Sequence, residues 1–227
     1  MNFLELFGDL LQGFSNTLII FALTLVLSIP LGLIISFGSR SKFFPLKWLS
    51  RGVVWVIRGT PLLLQLLLVS LIPSKVFGIL NKKLALTLGI TITNLNLVFV
   101  ITAFVINYAC YFSEIFRGAI DSIPKGQYEA GKVLGMTKSQ IFFKVVLFQL
   151  IKRVLAPVSN ETITLVKDTA LASTLSVIEL YTKAEHAVNE FVVLTPLLYA
   201  GLFYLIFNGL LTLLFGFLEK KMSFYKE

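Results

Sequence analysis

The sequence predicts an all-α integral membrane protein with about five transmembrane helices, and three observations carry that expectation. Of 227 residues, 56% are apolar and 14% are charged, where a soluble domain carries about a quarter charged residues. Uncharged runs long enough to cross a bilayer recur along the chain, and the basic residues fall in short blocks between them. This composition excludes a disordered tail, a disulfide-rich secreted scaffold and an ordinary cytosolic enzyme domain. The net charge of +8 is accordingly assigned to a membrane face or an acidic protein, with no nucleic-acid partner. The single cysteine, Cys110, lies in an apolar run, cannot form an internal disulfide and reads as a small buried residue.

The first span falls between Asp9 and Arg40, where no residue is charged. Residues 17–37 alone make a helix of roughly 31 Å, enough to cross the hydrocarbon core. The preceding flank holds Glu5 and Asp9 but no Lys or Arg, unlike the basic flank of a signal peptide, so the segment is expected to be retained. Residues 1–14 form an outer segment in which Phe3, Leu4, Leu6, Phe7, Leu10 and Leu11 oppose Glu5 and Asp9. That pattern predicts a short amphipathic helix lying on the outer surface.

Four further spans follow. Residues 53–71 are apolar except for Arg58, while 84–113 and 191–218 are uncharged. Residues 154–178 are interrupted by Glu161, Lys167 and Asp168, each costing about 2.5–3.5 kcal/mol at a helix centre. Something must satisfy those three charges. Residues 75–96 hold either a further short helix or a re-entrant piece. Fifteen Lys and Arg residues fall on one side of the five spans (residues 40–58, 117–153 and the tail), and Lys75, Lys82, Lys83 and Lys183 fall on the other. The positive-inside rule then puts the amino terminus outside and the carboxyl terminus in the cytoplasm. The chain divides into the outer segment 1–14, a transmembrane domain 15–220 and a cytoplasmic tail 221–227.

The long loop of residues 113–149 is the most informative cytoplasmic stretch. Pro124, Lys125 and Gly126 break a helix, residues 127–134 make about two turns of a new one, and Gly135 supplies a positive φ to end it. Ser139 is positioned to cap the next helix, whose apolar residues include Ile141, Phe142, Val145 and Val146. Gly126, Gly131 and Lys132 mimic part of a phosphate-binding loop, but Val133 stands where a Ser or Thr is needed and no strand precedes it. The GxxxG of Gly131 and Gly135 lies in a polar loop, outside the apolar helix where that motif signifies close packing.

This loop resembles the signature loop of the permease subunits of ABC importers, in which Glu-Ala-Ala is followed by Gly and an apolar run closing in Leu-Pro. The matching residues are Glu129, Ala130, Gly131, Leu134, Gly135, Met136 and the run 145–149. Gly131 replaces the second Ala, which loosens the short helix by up to about 1 kcal/mol. Phe148 replaces the Pro, which lets the following helix run on unkinked. The resemblance extends further. Arg58, Gly59, Thr60, Pro61, Leu62 and Gln65 match the RGTP-like segment of the polar amino-acid group. Glu114, Phe116, Arg117, Gly118, Ala119 and Ile120 match its ExxRGAI stretch. Asn160, Glu161, Lys167, Asp168, Thr169, Leu171, Ala172 and Ser173 resemble its NE and KDTxLAS stretches. The fold the resemblance implies is the ABC type I importer permease, with a short cytoplasmic coupling helix.

The resemblance further implies a subunit of a binding-protein-dependent importer of polar amino acids in the bacterial cytoplasmic (inner) membrane. The partners it implies are two copies of an ABC ATPase, a second permease subunit, identical or homologous, and an extracytoplasmic amino-acid-binding protein. No cofactor is implied, and the chain is not itself expected to be an enzyme. Gln127, Tyr128, Glu129, Ala130, Gly131, Leu134, Gly135 and Met136 would meet the ATPase. On a helix at 100° per residue, Glu161, Thr164, Leu165 and Asp168 share one face beside Asn160, with Lys167 at its edge. Asn160, Glu161, Thr164 and Asp168 are therefore candidates for the substrate pathway. Glu161 would meet the amino or basic group of the substrate; the alternative is an intersubunit network of Glu161, Lys167 and Asp168. Arg58, Gly59, Thr60 and Pro61 read as the start of the second span with Thr60 as cap, and the resemblance adds a gating or packing role for them and Lys167. Lys183, Glu185, His186 and Glu190 lie in the outer loop where the binding protein would touch. Two other classes compete: an ion-gradient-driven secondary transporter or channel, and an intramembrane enzyme. The enzyme lacks support, since the chain has one His and no HExxH motif.

Overall fold

The computed structural model describes residues 3–222, and no strand occurs among them. Residues 1–2 of the expected outer segment and 223–227 of the expected tail, with Lys226, lie outside the described residues. The helices are α1 (Phe3–Ser39), α2 (Phe44–Arg58), α3 (Leu62–Lys75), α4 (Asn81–Leu88), α5 (Ile92–Asp121), α6 (Lys125–Val133), α7 (Lys138–Ile141), α8 (Leu147–Asp168), α9 (Leu180–Phe191) and α10 (Thr195–Met222). A π turn (Phe142–Val146) joins α7 to α8, and a 3-10 helix (Thr169–Leu175) follows α8.

The outer segment is not a separate surface helix. It is the beginning of α1, and its Leu6 and Leu10 are buried with Leu180, Ala184 and Ala200. Burial of those apolar side chains against α9 and α10 outweighs the amphipathic pattern. The second span is also not straight: α2 and α3 diverge by 110° across residues 59–61. Pro61 lacks a backbone N–H and disfavours helical geometry at Thr60, so α2 ends and Pro61, at φ −62° and ψ 135°, precedes the first turn of α3. Thr60 caps nothing ahead of it. Its hydroxyl donates backward to the carbonyls of Val56 at 3.0 Å and Ile57 at 3.3 Å.

Residues 75–96 hold α4, ended by Gly89 at φ 68°, and the start of α5, where the Thr91 hydroxyl accepts from the Asn94 amide. α6 begins at Lys125, so Lys125 and Gly126 form its first turn and do not break it. The next helix is capped by Thr137, not Ser139. Thr137 Oγ1 accepts from the Gln140 amide while Gln140 Oε1 accepts from the Thr137 amide at 2.8 Å, a reciprocal capping box. The chain then stays helical to Asp168, but through the π turn. The α-helix of the fourth span stops at Asp168, short of the expected 178, and the chain tightens into the 3-10 segment. The segment with Lys183, Glu185, His186 and Glu190, expected as an outer loop, is α9. Its cap is the fully buried Glu179, whose carboxylate accepts from the amides of Tyr181 and Thr182 at 2.8 Å and from the Tyr204 hydroxyl at 3.0 Å.

α5 is the axis of the bundle. Its Val100, Ala103, Phe104, Tyr108 and Phe112 form the main core with Ile20, Leu66 and Leu165 from α1, α3 and α8. α10, by contrast, buries Pro196 and Ala200 and exposes most of its apolar length. Leu4–Ser39, Ile92–Asp121 and Thr195–Met222 are each long and apolar enough to cross a membrane, and the bent α2–α3 pair is a fourth if counted as one span. α8 has 22 residues, but Lys152, Arg153, Glu161, Lys167 and Asp168 make it less apolar. Five is thus an approximate count.

At Gly32 of α1 the backbone of another helix comes close. A Cβ there would lie 2.8 Å from the Ala109 carbonyl oxygen and 2.8 Å from Phe112 Cβ, so only glycine allows this approach. Gly32→Val should therefore destabilise the protein by about 1–3 kcal/mol. The measurement is thermal unfolding in detergent, with Gly8→Ala, inside α1 where nothing lies within 4 Å, expected not to lower the midpoint.

Candidate functional site

Within a bilayer, carbonyls freed by a helix break need a partner from the protein. Gln65, one turn into α3 and 7% exposed, supplies it. Its Nε2 donates to the carbonyls of Ile57 at 2.8 Å and Thr60 at 3.1 Å and meets Thr60 Oγ1 at 2.9 Å. Its Oε1 accepts from Asn107 Nδ2 at 3.0 Å. One buried amide thus fixes the end of α2, the start of α3 and the middle of α5. Gly59 ends α2 in right-handed geometry, with space for a Cβ limited by the Trp55 carbonyl at 3.0 Å. The RGTP stretch is a break held in place, not the start of a span.

That geometry carries Arg58 to α5. Its Nη1 lies 3.7 Å from Glu114 Oε2, and its guanidinium lies over the Tyr111 ring at 5.1 Å. Glu114 is gripped by Arg117 at 2.9 and 2.6 Å. Arg117 also meets Asp121 at 3.3 Å, and Asp121 meets Arg40 at 3.1 Å. A ladder of alternating charge therefore runs along the last turns of α5, joining α1, α2 and α5. Glu114, Arg117 and Asp121 stand at helical spacing in the sequence, but the partners Arg40 and Arg58 are distant from them.

The predicted set on α8 separates. Glu161 and Asp168 are half-buried, while Asn160, Thr164 and Lys167 are exposed. Asp168 accepts from the Tyr108 hydroxyl of α5 at 2.7 Å, a partner that sequence reasoning missed because Tyr108 lies in an uncharged run. Thr164 donates to the Asn160 carbonyl one turn back at 3.0 Å. Tyr108 and Tyr111 are neighbours, with ring centroids 6.4 Å apart, so Arg58, Tyr111, Tyr108 and Asp168 form a chain of contacts from α2 across α5 to α8.

α6 is set apart from that cluster. Tyr128 and Met136 pack on Ile123, Ile141 and Val146, and Gln127 is half-buried. Glu129, Ala130, Val133 and Leu134 are exposed, with Val133 88% and Leu134 76% exposed. Val133 belongs to this surface, although the sequence pattern gave no reason to include it. Gly135, at φ 73°, ends the helix as expected. Arg153 of α8 donates through Nη1 to the carbonyl and, at 2.7 Å, to the hydroxyl of Ser122, pinning the joint between α5 and α6.

Residues 28–224 match the family described as binding-protein-dependent transport system inner membrane component. The chain belongs to that family. This permease is 35% identical over 215 residues to the L-cystine transport system permease protein TcyB of Bacillus subtilis (strain 168), covering 94% of this chain and 86% of the relative. It is 32% identical over 230 residues to the arginine ABC transporter permease protein ArtM of Haemophilus influenzae, covering 99% and 97%. A crystal structure of an amino acid ABC transporter with histidines superposes at a TM-score of 0.79 and 26% identity, covering 97% of the permease and 99% of that chain. An inward-facing structure of the MetNI methionine ABC transporter shares the fold, at a TM-score of 0.69 and 17% identity. The fold is that of a type I ABC permease.

Gly131 of the permease has a reason beyond helix propensity. A Cβ there would lie 2.6 Å from Ile141 Cγ1, and Ile141 is buried. The methyl of the family's usual Ala is replaced by the side chain of Ile141. Gly131→Ala should therefore disturb the α6–α7 contact despite adding about 1 kcal/mol of helix propensity. Adding Ile141→Ala should restore ATP-dependent uptake toward the wild-type rate. A single substitution as active as wild type would contradict the contact.

Proposed function

We propose that this permease is the membrane-spanning subunit of an ABC importer for polar amino acids and moves substrate by alternating access. The observation that carries the substrate class is the pair of carboxylates, Glu161 and Asp168, half-buried within the helix bundle, with Asp168 bonded to Tyr108. Intramembrane ionisable groups face a pathway or each other, and Glu161 is the contact for the amino or basic group of the solute. Asp168, held by Tyr108, Thr164 and Asn160 line the same route. The names of the relatives, which include cystine and arginine permeases, support this class.

Energy enters from separate subunits. Two copies of an ATPase receive α6 and its end, with Glu129 as polar anchor beside Ala130 and Leu134, while Gln127, Tyr128, Gly131, Gly135 and Met136 set the helix on the bundle. Nucleotide binding favours one of two packings of the helices, one open outward and one inward. Arg58, Gly59, Thr60 and Pro61, braced by Gln65, are the packing joint between those states, and Lys167, at the edge of the α8 face, shares the packing role. A second permease subunit, identical or homologous, completes the route, and an external amino-acid-binding protein delivers substrate near α9. In this arrangement residues 1–14 are outside, residues 15–220 form the transmembrane domain and residues 221–227 are cytoplasmic.

Glu161→Gln should lower ATP-dependent amino-acid uptake into vesicles at least tenfold, since a charge-assisted contact is lost, while co-purification with the ATPase stays intact. Wild-type uptake kinetics in this variant would sink the substrate role. Uptake that persists without ATP and collapses with the ion gradient would sink the importer mechanism.

A further inference from the structure

An apolar groove of about 390 Å³ lies on the surface of the bundle between α1, α5, α6, the π turn and α8. It runs along the helices. At 1.5 Å per residue, its lining from Leu33 to Arg40 spans about 10 Å and that from Phe142 to Val154 about 18 Å, against the roughly 15 Å of one hydrocarbon leaflet. The deep end is apolar, since Leu33 and Phe37 belong to the uncharged span of α1. The other end carries Arg40, the first charged residue after that span, together with Tyr128 of α6.

The electrostatics of that end favour an anion. Arg40 meets Asp121 through Nε at 3.1 Å, and a guanidinium has four further N–H donors. Asp121 is shared with Arg117, while Arg117 and Arg58 share Glu114. Three guanidinium groups thus face two carboxylates, which leaves the ladder with one positive charge over, and Arg40 is its end at the groove. Shape and position disfavour a protein occupant. A helix about 10 Å across is too thick for this volume. The polar edge of α8 proposed to meet a second permease, Asn160, Thr164 and Lys167, lies about 120° around that helix from Leu147, Leu150, Ile151 and Val154, so the groove faces away from it.

We infer that the groove binds one anionic phospholipid of the cytoplasmic leaflet, with an acyl chain laid between α1 and α8 and the phosphate on the remaining N–H groups of Arg40. The leaflet rests on the orientation proposed above; the contact itself does not. The anionic surface of the membrane supplies the charge, and the apolar walls gain the packing partner they otherwise lack. A chain seated there touches Tyr128 and Phe142 as well as α1 and α8. It therefore packs α6 and the π turn onto the bundle and supports the passage of movement from α6 to the spans.

The test is native mass spectrometry of the detergent-purified permease–ATPase complex titrated with phosphatidylglycerol or phosphatidylcholine. The wild type should hold one phosphatidylglycerol per permease, about fivefold more tightly than phosphatidylcholine. Arg40→Gln should abolish that preference. Asp121→Asn, which removes the same ion pair but keeps the guanidinium, should preserve it. Leu33→Trp, at an exposed position where the larger ring fills the groove, should weaken both lipids, and it carries the test if Arg40→Gln does not assemble. Equal affinity for the two lipids in the wild type, an undiminished preference in Arg40→Gln or its loss in Asp121→Asn overturns the headgroup contact. Unchanged binding in Leu33→Trp overturns the groove as the site. ATP-dependent uptake into phosphatidylcholine vesicles should rise on adding phosphatidylglycerol for the wild type but not for Arg40→Gln; a rise of the same size in both overturns the link to α6. Uptake that needs no ATP in either lipid sinks the importer reading without touching the lipid contact, which the titration decides.

Discussion

A helix interrupted inside a membrane protein must hide the backbone carbonyls it frees, and the remainder of this architecture depends on how that requirement is met. At residues 59–61 the loss of regular bonding is forced by Pro61. The bent path survives because the Gln65 side chain turns back onto Ile57 and Thr60 and at the same time accepts from Asn107. Four backbone or side-chain groups depend on a single buried amide. With that amide in place, α2 delivers Arg58 to α5, and α3 delivers Leu66 to the core.

The same helix that receives Arg58 also leads to the exposed helix α6. Glu114, Arg117 and Asp121 occupy successive turns at the end of α5, and Ser122, one residue on, is held by Arg153 of α8. α6 begins three residues later and packs back on α7 and the π turn through Ile141 and Val146. A displacement of α6 therefore bears on α5 and α8 together, the two helices that carry Tyr108 and Asp168. Charge pairs suit such a junction. They are strongly distance-dependent yet shallow when partly solvated, so they fix alternative arrangements without locking one of them.

The apolar spans were legible in the sequence because composition and run length decide them: α10 falls close to its uncharged run, while α5 is displaced toward the carboxyl terminus from the run 84–113, whose first residues belong to α4. The breaks were not, and the reason differs case by case. Pro61 is compatible with both a helix start and a helix break, and the deciding partner, Asn107, is 42 residues from Gln65. Gly131 looked like a weakened helix position, whereas its role depends on Ile141 in another element. The capping box of Thr137 and Gln140 was readable from adjacent letters, but Ser139 offered a competing cap of the same chemistry. Glu179 carried no signal that it would be fully buried, since its partners Thr182 and Tyr204 converge only after α10 folds back on α9. Of the site, the carboxylates and Arg58 were identified by being charged within apolar runs. Tyr108, Tyr111 and Asn107 were missed because neutral polar side chains hardly disturb such runs.

Two kinds of exposed surface remain on the chain, and they ask for different surroundings. The exposed length of α10, with Leu202, Leu205, Leu213 and Phe217, has the composition of a face that hydrocarbon can solvate. The exposed edge of α8, with Asn160, Thr164 and Lys167, does not. Thr164 satisfies its donor within its own helix, but the amide of Asn160 and the ammonium of Lys167 are charged or strongly polar groups that lipid cannot serve. That edge lies beside Glu161 and Asp168 on α8, so a neighbouring polar surface that covered it would also wall these two carboxylates. The polarity of that helix edge is what supports the proposed second permease, whereas the apolar face of α10 has the composition of a membrane-facing side.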